Sequence, residues 1–91
     1  MKNMLRVCAV NDGTRRVLAT FTDRDTMQED AIRWVDDVLH ATTGFCLLSR
    51  LNDIQTACRK NDKTVFPDKF AMPLCVVNLA IKEFNLEITE E

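Results

Sequence analysis

The sequence predicts an α+β fold: an N-terminal β-hairpin, then three helices, with a short C-terminal strand that can complete a small antiparallel sheet. Three observations carry this reading. Asp12-Gly13 stands between two runs of strand-forming residues, a strong hairpin signal. From Thr26 to Gly44 the apolar residues recur at helical spacing. Leu86-Glu87-Ile88-Thr89 returns to strict alternation, the period of a half-buried strand.

The first strand falls on residues 4–10, Met-Leu-Arg-Val-Cys-Ala-Val, and the second on 16–22. In the second, Val17, Ala19 and Phe21 are expected on one side. The first helix is expected over 26–43. Thr26-Met27-Gln28-Glu29 has the form of a capping box, in which hydroxyl and carboxylate each take up a free amide. Met27, Ala31, Trp34, Val35, Val38 and Thr42 fall together at 100° per residue, as helical geometry requires. Glu29, Asp30, Arg33, Asp36, Asp37 and His40 fall opposite. Gly44 suits the position after the last turn, because it takes positive φ without a Cβ clash.

The next helix is expected over about 46–60, with Leu47, Leu51, Ile54 and Cys58 on one face. Phe45-Cys46-Leu47-Leu48 also reads as a short strand before a shorter helix capped by Ser49 or Asn52. Lys60-Asn61-Asp62-Lys63 is expected as a polar loop and Phe66-Pro67-Asp68 as a turn. Pro73 suits the first turn of a third helix, where its missing N–H is no loss. Residues 74–84 are apolar nearly all round, so that helix is either central or half-buried against a partner. Asn85 can end it.

Length and composition set the class. A chain of 91 residues is expected to form a single compact domain. A domain of this size buries roughly two thirds of the surface its unfolded chain exposes, enough for a core without staples. Two Gly and two Pro argue against disorder, and a net charge of -2 argues against a dedicated nucleic-acid or membrane partner. The opening residues Met1-Lys2-Asn3-Met4-Leu5-Arg6 lack the apolar run and cleavage site of a signal peptide, so the expected address is cytoplasmic. Cys8, Cys46, Cys58 and Cys75 are then expected to be reduced and mostly buried.

The chemistry-bearing residues do not form a recognisable constellation. His40 is the chain's one histidine, and it sits among solvated charges. A general base needs a positioned partner and a cleft, and neither is legible. The cysteines are separated by 37, 11 and 16 residues, unlike the compact pairs of a zinc site. Asp23-Arg24-Asp25 could bind a cation, but no phosphate-binding loop accompanies it. No catalytic residue, metal or cofactor is therefore assigned.

Charge is segregated along the chain. Residues 1–24 carry a net +3, 25–37 a net -4, 38–60 a net +2, 61–82 a net +1 and 83–91 a net -4. A bipolar surface suits a partner or a second copy. The acidic residues Glu29, Asp30, Asp36 and Asp37 are candidate contacts for a basic protein. Their alternative role is ordinary surface pairing with Arg33, worth roughly 0.3–0.5 kcal/mol per pair. Arg15 and Arg16 by the hairpin turn, with Arg59, Lys60 and Lys63, are candidate phosphate contacts. Leu74, Val77, Ile81 and Phe84 are candidates for burial between two copies, with a homodimer expected.

By elimination the favoured function is a small non-catalytic protein-interaction module, regulatory, adaptor or inhibitory. The size suits a phage or mobile-element product that acts on a host protein. The alternative is a nucleic-acid-binding regulator using the hairpin arginines, whose binding would weaken steeply with salt.

Overall fold

Asp12 and Gly13 take positive φ, 47° and 82°, as the central residues of a type I′ turn require. The two-residue turn joins strands β1 (Leu5–Asn11) and β2 (Thr14–Phe21), and the Thr14 hydroxyl donates back to the Asn11 carbonyl. The computed structural model describes residues 4–60 and 69–91. The remaining described elements are α1 (Met27–Thr43), α2 (Leu47–Lys60), a 3-10 turn at Lys69–Ala71, α3 (Leu74–Ile81), a second 3-10 turn at Lys82–Phe84, and β3 (Leu86–Glu90). The expected α+β architecture is present, including the closing strand. The expected loop at 61–63 and turn at 66–68 lie outside the described residues.

The sheet order is β2-β1-β3, antiparallel throughout, so the first strand is central and the last is an edge. Leu5, Val7 and Ile88 point to one face and are at most 2% exposed, beneath the helices. Helix α1 packs on β1 and β2, α3 packs beside β3, and α2 packs against both helices. Ala31, Ile32, Val35, Leu39, Leu47 and Leu51 fill the space between these layers. Helix α3 buries Val77, Ala80 and Ile81 against these layers and leaves Cys75 and Leu79 of its apolar run exposed.

Three local expectations are corrected. Val17 does not share a face with Ala19 and Phe21. Val7 pairs with Ala19 but Cys8 with Val17, so Leu18 is an extra residue. Such a bulge breaks the period of two, and it leaves Val17 turned outward and 47% exposed. Second, the capping box does not close. The Thr26 hydroxyl donates to Asp30, and Glu29 instead accepts from Arg33. The α1 start is held by the Asp23 carbonyl, which accepts from the Thr26 and Met27 amides. Third, the buried face of α1 is Met27, Ala31, Ile32, Val35 and Leu39, while Thr42 is exposed and Trp34 and Val38 are half-buried. The stripe is wider than one face because α1 packs on the sheet, on α2 and on the Lys69–Ala71 turn.

Helix α2 starts at Leu47, in favour of the helical reading of the 45–49 segment. Pro73 stands just before α3, and its carbonyl accepts from the Val76 and Val77 amides. Asn85 ends the following turn in the left-handed region, at φ 60°. Its carbonyl accepts from the Val10 amide, which begins the β1–β3 pairing.

The outer edge of β3 is closed by a side chain. The Asn78 amide accepts from the Ile88 N–H at 2.8 Å and donates to the Ile88 carbonyl at 2.9 Å. A neighbouring strand residue would make this same pair of bonds. Asn78→Ala leaves both backbone groups of a half-buried strand unmade, and an unsatisfied buried group costs about 1–3 kcal/mol. The expected result is a lower urea midpoint with an unchanged denaturant dependence. An unchanged midpoint would show that the pair contributes nothing to holding α3.

Candidate functional site

Fastening Asn78 to β3 sets the rotation of α3. Val77, Ala80 and Ile81 face the core, so Cys75, Leu79 and Lys82 must face out. Leu79 is 73% exposed, the most exposed large apolar side chain among the described residues. Beside it lies an open groove of about 490 Å³ between α3 and the start of β3. Val10, Cys75, Leu79 and Leu86 supply its apolar lining. Asn78, Asn85, Lys82 and Glu87 supply its polar lining. The volume is in the range of ligand-sized clefts, and the lining is divided between apolar and polar residues.

The open face of the sheet borders this groove. Arg6, Cys8 and Val10 point there from β1, and Glu87 and Thr89 from β3, by the pairing register. Arg15 reaches from β2 across β1 to Glu87, with Nη2 at 3.2–3.3 Å from both carboxylate oxygens. Arg6 pairs with Glu91 at 3.0 Å. Both pairs are partly exposed, and pairs of that kind are worth about 0.2–1 kcal/mol each. Their effect is arrangement: the basic N-terminal hairpin and the acidic C-terminal strand neutralise each other across one sheet.

The acidic face expected to meet a partner is largely occupied within the chain. Glu29 accepts from Arg33 at 2.9 Å. Asp30 accepts from the Thr26 hydroxyl. Asp36 accepts from the Leu48 amide at 3.2 Å, satisfying a free N–H at the start of α2. Asp37 is exposed and makes no such contact among the described residues.

The cationic set is divided. Arg15 is bound to Glu87, and Arg16 is exposed on β2. Arg59 and Lys60 end α2, a helix whose main contacts are α1, α3 and the Lys69–Ala71 turn. Lys63 lies outside the described residues. Arg33 stacks over the Phe70 ring at 4.8 Å while it holds Glu29.

The oligomer candidates on α3 are relocated. Val77 and Ile81 are inside the core, Leu74 is half-buried, and Phe84 packs its ring against Phe45 with centroids 4.9 Å apart. The outward apolar residues are Leu79 and Cys75. Their signal was available, since Cys75, Leu79 and Lys82 fall on one helical stripe. It was hidden because a helix apolar on every side gives no clue to its rotation.

All four cysteines are free. Cys8 is buried, Cys58 half-buried, and Cys46 and Cys75 exposed, so the expectation of mostly buried thiols is corrected at two positions. His40 is exposed on α1. No group of three metal-ligating side chains gathers among the described residues. None of the described helices is long and apolar enough to cross a membrane. No family model, no curated protein and no solved structure matches this chain.

The different duties of the α1 acids can be measured. Asp36→Ala removes the acceptor of a helix-terminal amide and is expected to lower stability by about 0.5–2 kcal/mol. Asp37→Ala, at a free surface position, is expected to stay within about 0.5 kcal/mol of the parent. Thermal unfolding of both variants checks the pair. Equal losses would mean that Asp36 has no capping role.

Proposed function

We propose that this chain is a small, non-catalytic protein-interaction module that regulates, adapts or inhibits by surface contact, and that the contact is made at the α3–β3 groove. The observation that carries this reading is Leu79: a large apolar side chain left 73% exposed beside an apolar groove. Contiguous exposed apolar surface marks binding sites, and Leu79 shares the exposed stripe of α3 with Cys75 beside the groove. A few residues seated in well-packed pockets dominate the energetics of such contacts. The acidic face of α1 is a weaker candidate, because Glu29, Asp30 and Asp36 already have partners in the chain.

The nucleic-acid alternative would rest on Arg15 and Arg16. One of the two is committed to Glu87, and the cations of α2 sit on a different layer. Non-specific phosphate binding needs several free cations acting together, so this reading has less support than the groove.

The test is a tagged pull-down from source-cell lysate, with and without nuclease, comparing the parent with Leu79→Asp. A stoichiometric protein is expected to survive nuclease and to be lost with Leu79→Asp. The variant should keep its unfolding midpoint, since so exposed a side chain contributes little to the core. Retention of that protein by Leu79→Asp would remove the groove from the proposal. Loss of all captured material on nuclease treatment would favour the arginine reading.

A further inference from the structure

We infer that the occupant of the α3–β3 groove is a second copy of this chain, docked with α3 against α3 about a two-fold axis. The inference rests on reading the groove as a contact surface and goes on to name what fills it.

An isologous interface uses one patch on both partners, so that patch must be complementary to itself. Shape meets this condition here. The patch carries a highly exposed apolar side chain, Leu79, on the rim of an apolar hollow that Val10 and Leu86 also line. Each copy therefore offers both an apolar side chain and a hollow to receive one.

Charge meets the condition as well. Lys82 and Glu87 line the same groove, one of each sign. Lys82 is exposed and makes no ion pair among the described residues. Glu87 is held from one side by Arg15, and its side chain remains 35% exposed. In the proposed dimer Lys82 of each copy lies toward Glu87 of the other, and the two-fold axis makes the two contacts equivalent. Opposite charges so arranged select the partner and its register. A groove for a partner of one sign would have no need of both. The chain's net charge of -2 adds little repulsion between copies.

The edge chemistry limits how the copies meet. Asn78 already occupies the outward backbone groups of Ile88. Strand addition at β3 is thus blocked at its centre, and docking must proceed through side chains. At the opposite edge, the Leu18 bulge and the arginines of β2 are features that discourage strand pairing.

Sedimentation equilibrium and light scattering across a wide concentration range test the inference. The parent is expected to reach twice the monomer mass of 10.4 kDa. Leu79→Asp is expected to remain monomeric. Lys82→Glu sets like charges against each other at both contacts, and so does Glu87→Lys. Each alone is expected to weaken association by roughly tenfold or more. An equimolar mixture of Lys82→Glu and Glu87→Lys restores opposite charges at both contacts and is expected to recover the dimer. That recovery also shows that both variants fold. A parent that stays at monomer mass at the highest concentration would overturn the inference. So would dimerisation indifferent to Leu79→Asp, or a mixture no better than its components. These outcomes are separable from the groove reading itself, because a monomer that still loses its captured protein with Leu79→Asp keeps the contact surface and loses only the second copy.

Discussion

The described structure turns on how α3 is attached to the sheet. A three-stranded sheet with one covered face must do something with its two edges. Here the β3 edge is met by a helix that carries one asparagine at the right height. The Asn78 amide takes both outward backbone groups of Ile88, so the helix stands in for a fourth strand at one residue. That attachment leaves little freedom of rotation. Val77, Ala80 and Ile81 are driven into the core, and Cys75, Leu79 and Lys82 into solvent. The groove, its apolar lining and its two charges all follow from that one orientation.

Much of this architecture was legible because local chemistry and global fold agree. Asp12-Gly13 announced a turn with two positive φ values, and both are present. Gly44 at φ 78° and Asn85 at φ 60° end their helical segments where the sequence placed the stops. What stayed hidden depends on neighbours distant in the chain. Leu18 is an extra residue only by reference to the register with β1. Thr26 and Glu29 had the spacing of a capping box, yet each bonds another side chain, Asp30 and Arg33. Asp36 looked like one more surface acid until α2 brought the Leu48 amide to it.

The candidate site was less legible than the fold, for two physical reasons. Charge runs along a chain say nothing of which strand will lie beside which. The net +3 of residues 1–24 and the net -4 of residues 83–91 looked like separate surfaces. In the sheet they are neighbours, joined by Arg6–Glu91 and Arg15–Glu87. The second reason is the composition of α3. Its apolar residues gave a sound case that the helix buries more than one side, but not which side remains uncovered. Leu79, rather than Val77 or Ile81, is the residue left over. The focus for contact therefore moves from the acidic face of α1 to the junction of α3 and β3.

Hydrogen exchange read residue by residue tests the attachment of α3 most directly. By the pairing register, the Ile88 amide points away from β1, as the Thr20 amide does on the other edge. An edge amide with no acceptor exchanges quickly, whereas one bonded to a fixed side chain opens only with the surrounding structure. The account predicts a strongly protected Ile88 amide, a protected Asn78 side-chain amide, and fast exchange at Thr20. An Ile88 amide that exchanges as fast as Thr20 would mean that Asn78 does not hold the edge.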